Sequence, residues 1–329
     1  MSFSKDVLKL DPAAETERIV TMLRHNVRKV MHRQGGVVGI SGGIDSSVVL
    51  ALVARAFGPD RVAAIMMPEK DSETESEILA RNLAAHFDVK EAILENITPV
   101  LDGFGCYQRR DEAIKRVFPQ YDAEAGYKSK IVLPQNLLDE DTLNIFSLVV
   151  ITPDGKELSK RLSLREYYQI VAASNFKQRT RMSMLYYHAE LRNYGVIGTA
   201  NKNEYDQGFF VKYGDGGVDV KPIGHLYKTQ VYQLAEYLDV PRDIRERTPT
   251  TDTYSAPTTQ EEFFFRLPFE TMDLLWYAQE NEIPVEEVAT VMHLTPVQVQ
   301  RAFADFTRKK RTTEYLRMPP VLISDDGQE

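Results

Sequence analysis

Apolar residues recur at helical spacing between residues 14 and 33, where Ile19, Met22, Leu23, Val27, Val30 and Met31 mark one face of an amphipathic helix. The pattern then shortens. Gly36 to Ile40 reads as a strand, and Ser46 to Phe57 returns to a helical period. Gly58-Pro59-Asp60 stops that helix, and Val62 to Met66 reads as a second strand. Asp71-Ser72 offers a cap, followed by acidic first-turn residues, for a helix over Glu75 to Phe87. Val89 to Leu94 is a third strand and Gly195 to Gly198 a later one. Phe146 to Leu158 reads as a β-hairpin around Pro153-Asp154-Gly155. Strand and helix in alternation predict an α/β fold, with a doubly wound, mostly parallel sheet carrying helices on both faces. Ligands of such sheets bind at the carboxyl ends of the strands, so a loop at Ser41 and a segment from Thr199 to Glu204 are expected to share one site.

Composition narrows the function classes. The chain has 329 residues, 43% hydrophobic and 27% charged, which suits one large α/β domain or a core domain with appended helices. A net charge of −8 does not indicate a general nucleic-acid binder. No apolar run is long enough to span a bilayer, and Met1 to Leu10 lacks the basic-then-apolar order of a secretion signal. Cys106 is the only cysteine and cannot form an internal disulfide, which fits a reducing cytoplasm. The six histidines are scattered, without zinc-like clustering.

The chemistry concentrates in Gly39-Ile40-Ser41-Gly42-Gly43-Ile44-Asp45-Ser46-Ser47. This run joins a strand to a helix and places bare N–H groups and hydroxyls at the helix N-terminus, where a phosphate is favoured. The common ATPase loop ends in Gly-Lys-Ser/Thr; here the lysine is missing and Asp45 stands in the loop. A carboxylate beside phosphate makes sense when a metal ion lies between them. The plain alternative is a strand-to-helix turn of no chemical consequence.

The run resembles the Ser-Gly-Gly-x-Asp-Ser loop of the ATP pyrophosphatases (the PP-loop superfamily). Further on come Gly198-Thr199-Ala200-Asn201-Lys202-Asn203-Glu204, Gly208 to Asp219 with Phe209-Phe210-Val211-Lys212-Tyr213-Gly214-Asp215-Gly216-Gly217, then Lys228 and Pro249-Thr250-Thr251-Asp252. Asn175 to Arg181 precede them. In this order the segments resemble the ammonia-dependent NAD synthetase family over most of the chain. The resemblance implies an adenine nucleotide α-hydrolase-like fold and a single domain over 1–329, with its core at about 14–257. It also implies an inserted hairpin region at 129–163 and a C-terminal helical element at 258–318.

The implied reaction is amide formation in two steps. The nicotinate carboxylate of deamido-NAD attacks the α-phosphate of ATP, pyrophosphate leaves, and ammonia displaces AMP. The resemblance assigns Gly39, Ile40, Ser41, Gly42, Gly43, Ile44, Asp45, Ser46, Thr199, Lys228 and Thr250 to ATP. It assigns Arg179, Lys212, Asp219, Lys309 and Lys310 to deamido-NAD, and Asp45 with Glu204 to Mg²⁺. Asp45, Lys212, Asp219 and Lys228 are the implied catalytic set, and Asp215 is a candidate for positioning ammonium or ordering its loop. A homodimer follows from the same resemblance, with deamido-NAD bound across the boundary. The N-terminal and C-terminal helices are expected to supply the apolar faces.

Three departures and two rivals complete the reading. Met66-Met67-Pro68 puts methionine where several family members place an arginine near the adenine. Roughly fifty residues more than in short members separate Leu94 from Asn175. No glutaminase signature is present, so ammonia is expected free or from a separate supplying protein. One rival is another PP-loop enzyme that amidates or thiolates a different acid. The other is an ATP-responsive DNA-binding regulator, since Pro284 to Phe303 resemble a helix-turn-helix followed by basic Arg308 to Arg311.

Overall fold

The computed structural model describes residues 3–134, 137–139, 145–250 and 253–322. The first part of the chain runs α1 (Pro12–Arg24), β1 (Gly36–Gly39), α2 (Ile44–Phe57), β2 (Val62–Met66), α3 (Thr74–His86) and β3 (Glu91–Leu94). Next come α4 (Thr98–Gly103), α5 (Cys106–Val117), β4 (Lys128–Val132), β5 (Ser147–Ile151), β6 (Glu157–Arg161) and α6 (Leu164–Arg192). Then follow β7 (Gly195–Ile197), α7 (Lys202–Gln207), α8 (Lys228–Tyr237) and α9 (Arg242–Arg245). The last are α10 (Phe269–Glu280), α11 (Val285–Met292), α12 (Pro296–Thr312) and α13 (Glu314–Arg317).

The main sheet is parallel, in the order β3-β2-β1-β7. β1, β2 and β7 are apolar and buried because both their faces are covered, whereas the edge strand β3 carries Glu91 and is largely exposed. Val38, Ala64 and Ile197 enter one core with α1, α2, α3 and α8. Val37, Ala63, Ile65 and Val196 enter the other with α4, α5 and α6. The chain winds outward from β1 to β3 and returns on the far side of β1 as β7, so the winding reverses between β1 and β7. That crevice is where open α/β sheets bind ligands.

Several boundaries differ from the sequence pattern for local reasons. The first helix is α-helical only to Arg24, and His25–Val30 widen into a π-helical turn. The wider turn rotates later side chains off the buried face: Val27 stays buried, whereas Val30 is 57% exposed. β3 starts at Glu91 rather than Val89, because the Val89 N–H is spent on the Ala84 carbonyl at the end of α3 (2.9 Å). The expected cap of α3 does not form. Its N-cap is Glu73, and Asp71 instead pairs with the buried Arg110 and Lys177.

The inserted region folds as an antiparallel meander, β4-β5-β6. Its tight turn falls at Thr152 to Gly155, where the Gly155 N–H meets the Thr152 carbonyl at 2.9 Å. The pattern did not show β4. Ile131, Leu148 and Val150 pack with Ile114 of α5 and Ile170 of α6. Residues 135–136 and 140–144 of the expected insertion lie outside the described residues.

Helices α10, α11 and α12 build a separate core around Met272, Leu275, Val288, Val299 and Phe306, which Phe3 and Leu8 join. The helix-turn-helix resemblance therefore describes two helices whose apolar faces are used internally. Among the described residues no helix is long and apolar enough to cross a membrane.

Between β1 and α2 the backbone turns sharply at Gly42, with φ +71°. A Cβ there would lie 2.8 Å from the Ser76 carbonyl oxygen and 2.9 Å from Leu79 Cβ. Both the left-handed backbone and the contact with α3 require glycine. Gly42→Ala is expected to lower stability by at least about 1 kcal/mol and to abolish nucleotide binding. Thermal unfolding and ATP titration check this, and unchanged values in both would refute it.

Candidate active site

A cavity of about 1130 Å³ opens at the carboxyl ends of β1 and β7. Its floor is the loop from Gly39 to Ser46. Helix α2 begins there without a side-chain cap, so its first N–H groups are available to a bound anion. The hydroxyls hold the loop in shape. Ser46 Oγ and Ser47 Oγ donate to the Gly43 carbonyl at 3.0 and 2.8 Å, and Ser41 Oγ accepts from the Gly43 N–H at 3.3 Å.

At the inner end stands a buried charge cluster. Lys228, with no exposed surface, donates from Nζ to Asp45 Oδ2. Asn201, directly after β7, donates from Nδ2 to Asp45 Oδ1 at 3.0 Å. Glu204 joins through a capping box: its Oε2 accepts from the Asn201 N–H at 3.1 Å, while Asn201 Oδ1 accepts from the Glu204 N–H at 3.1 Å. Burial, then the neighbouring Asp45 charge, push the Glu204 carboxyl up to about 8, with Lys228 opposing. Burial works against the Lys228 charge, but Asp45 and Glu204 outweigh it and raise its pKa. Two acids and one lysine from three elements thus share one small volume.

Helix α10 braces this cluster from behind. Buried Asp273 accepts from the Thr229 N–H (2.8 Å) beside Lys228, and from Asn203 Nδ2 beside Glu204. Glu280 holds Lys202 of α7 at 2.9 Å and accepts from the Tyr227 hydroxyl. The Phe269 ring lies 5.3 Å from Lys228 Nζ, a cation–π contact.

The cavity brings together Gly39, Ile40, Ser41, Gly43, Ile44, Asp45, Ser46, Thr199, Glu204, Lys228 and Thr250. Gly42 backs onto α3 instead. Lys309 also lines it; its Nζ is held by Asp305 (2.9 Å) and the Phe264 carbonyl (2.8 Å), and burial lowers its pKa. That pairing draws Lys309 out of the basic run and weakens the case for a DNA-binding face. Thr251 and Asp252 lie outside the described residues. Asp215 lines the cavity too, accepts from the Val211 N–H at 2.8 Å, and is pushed up to about 6 chiefly by burial.

Arg179, Lys212, Asp219 and Lys310 do not line this cavity. Arg179 and Lys310 are exposed. Lys212 Nζ donates to the Tyr315 and Met318 carbonyls at 2.8 Å, and Asp219 accepts from the Val196 N–H at 2.8 Å and the Tyr186 hydroxyl at 3.0 Å. The segment holding Lys212 and Asp219 packs along α6, with Gly214 against Gln178 and Gly217 against Met182. Arg179 lies on that same stretch of α6.

Sequence reasoning missed several residues of the wall and of the cluster behind it. Asn201 had a signal, since Asn followed three residues later by Glu is a capping-box spacing. Arg181 lines the cavity from α6 beside Met66 and Met67, with Nε 3.4 Å from the Met67 carbonyl. Lys177 is buried and bound to Glu69, Asp71 and the Thr253 carbonyl, at 2.8, 2.8 and 2.9 Å. Asp273 had no signal, because its partners are remote in sequence.

Comparisons with known proteins bear on the family. The NAD synthase family model matches residues 15–118 and 135–320. An NH₃-dependent NAD⁺ synthetase from Rhizobium meliloti is 51% identical over 321 residues, covering 98% of this chain and 95% of that protein. One from Thermotoga neapolitana is 35% identical over 267 residues, covering 81% and 84%. Among solved structures, the NH₃-dependent NAD synthetase from Campylobacter jejuni in complex with nitrate superposes with a TM-score of 0.61 at 25% identity, covering 96% and 100%. The NMN synthetase from Francisella tularensis shares the fold, with a TM-score of 0.61 at 21% identity over 96% of this chain and 99% of that one. With a family model matched over most of its length and relatives 35 to 51% identical, this chain belongs to the NAD synthase family.

Proposed function

We propose that this chain converts deamido-NAD to NAD with ATP and ammonia, releasing AMP and pyrophosphate through an adenylated carboxylate. The observation that carries the reading is the Gly39–Ser46 loop closing one cavity with Asp45, Glu204 and Lys228. A carboxylate is a poor acyl donor until its oxygen becomes part of a leaving group. Attack of a nicotinate oxygen on the α-phosphorus forms that bond and breaks the bond to pyrophosphate. Ammonia then adds to the acyl carbon, loses a proton, and expels AMP. The loop N–H groups hold the outgoing phosphates, and Lys228 with the acid pair sets the charge beside the reacting phosphorus.

The acids suit a hard cation. Asp45 and Glu204 both present oxygens; burial first and then the Asp45 charge raise Glu204, and a bound cation would favour its charged form. Among the described residues no group of three or more potential ligands is found, and Mg²⁺ usually takes one or two carboxylates plus substrate phosphates. When bound, Mg²⁺ supplies charge neutralisation across the phosphates.

A homodimer extends the reading, although not through the helices expected from sequence. The apolar face of α1 is consumed against α2 and α8, and those of α10 to α12 against one another. Exposed apolar side chains stand in pairs at the two ends of α6, where Leu164 and Tyr168 are 70 and 62% exposed and Tyr187 and Leu191 are 56 and 63% exposed. Arg179 is on this helix, and the Lys212–Asp219 segment packs beside it. A second copy seated there would bring these groups to deamido-NAD at the boundary.

Incubating the protein with ATP, Mg²⁺, ammonium and deamido-NAD should give NAD, AMP and pyrophosphate in equal amounts; ADP and orthophosphate would overturn the reading. Asp45→Asn should lower kcat by about 10² or more. Light scattering should return twice the chain mass, and Leu191→Asp combined with Tyr187→Asp should halve it; a wild-type monomer would refute the interface. The pH dependence of stability has a definite sign. Glu204 titrates near 4.5 ordinarily and near 8 in the folded chain. Between these values the folded state holds a proton that the unfolded state has lost, so stability of the ligand-free protein falls as pH rises through that window. Thermal unfolding across pH should show this fall, and Glu204→Gln should flatten it.

A further inference from the structure

We propose that Arg247 is a polyphosphate-binding residue of this site, which exchanges its carboxylate partner Glu73 for the β- and γ-phosphates of ATP and for the pyrophosphate released. The proposal rests on the ATP-cleaving reading above. The loop from Gly39 to Ser46 contains no lysine. Lys228, the cation nearest its inner end, is bound to Asp45 and faces Glu204, so its charge is already balanced by acids. Ser41, Ser46 and Thr250 are neutral. A leaving group with several negative charges therefore needs a cation from the opposite wall.

Arg247 stands on that wall. It lines the same cavity, with its side chain 18% exposed, three positions before Thr250. Its Nη2 donates to Glu73 Oε2 at 2.6 Å and to Ser76 Oγ at 3.1 Å. Ser76 is the residue whose carbonyl presses against Gly42, which places the guanidinium directly beside the anion loop. Its Nε and Nη1 have no hydrogen-bond partner among the described residues. Glu73 and Glu77 also line this wall, so without Arg247 an incoming polyphosphate would meet unopposed negative charge.

The exchange is favourable on general grounds. The Glu73 side chain is 38% exposed, and ion pairs in contact with water contribute little. A guanidinium presents a planar fork of donors that matches two phosphate oxygens, and charge-assisted bonds of that kind are the strong ones. The competing account is that Arg247 only ties its loop to α3 through Glu73. The two accounts differ for Glu73→Gln, which breaks the tie but frees the guanidinium.

The test is steady-state kinetics and pyrophosphate inhibition on the full-length protein, with thermal unfolding alongside. Arg247→Ala should raise KM for ATP and the inhibition constant of pyrophosphate by about ten- to a hundred-fold, with KM for deamido-NAD unchanged. Arg247→Lys should recover part of both, and Glu73→Gln should lower the inhibition constant. The proposal is overturned if Arg247→Ala changes neither constant, or if Glu73→Gln weakens both as Arg247→Ala does. Should Arg247→Ala not fold, Arg247→Lys and Glu73→Gln decide alone. Wild-type production of ADP would instead sink the underlying reading, a result visible before any variant is made.

Discussion

A lysine with no exposed surface must be given partners, and in this protein those partners organise everything around them. Lys228 is held by Asp45, 183 positions away in sequence, and is raised further by Glu204. Removing one member of a buried, hydrogen-bonded ion pair typically costs about 3–5 kcal/mol, because the remaining charge is stranded. The three residues come from the starts of α2, α7 and α8, so the interaction fixes three helix N-termini relative to the edges of β1 and β7. The crevice where the sheet reverses its winding is thereby locked around one charge cluster.

That cluster is not supported by the α/β core alone. Asp273, Glu280 and Phe269 of α10 touch the backbone or side chains on either side of Glu204 and Lys228. The C-terminal helices are thus structural partners of the site, although their own core is separate. The helix pair that looks like a nucleic-acid reader in sequence packs here against α10, the helix that braces the cluster. Its basic residue Lys309 turns inward to Asp305 rather than outward to a phosphate backbone.

The charge distribution also separates two regions that sequence order mixes together. The anion loop and its charge cluster line the cavity, while Arg179 is exposed on α6, Lys212 is bound to the Tyr315 and Met318 carbonyls, and Asp219 to the Val196 N–H and Tyr186. Exposed apolar residues stand at both ends of the same helix. A single chain therefore presents one cavity around the anion loop and, apart from it, an exposed surface on α6. The inserted meander packs on α5 and the beginning of α6.

Much of this was legible in the chain itself. Buried parallel strands need unbroken apolar runs, and a glycine pair before a helix leaves a mark in any sequence, so β1, β2 and the anion loop could be read directly, while the strand order came only from the structure. The turn at Pro153-Asp154-Gly155 was equally plain, because its residues are demanded locally. Other features depend on partners far along the chain. Asp71 looks like a cap until Arg110 and Lys177 arrive beside it. Asp273 looks like any helix acid, and the apolar faces of α1 and α12 look available for a second subunit until packing consumes them. Periodicity and turn chemistry are short-range, and a sequence carries them on its face. Which buried charges meet, and which apolar face is left over, is decided only when distant elements are brought together.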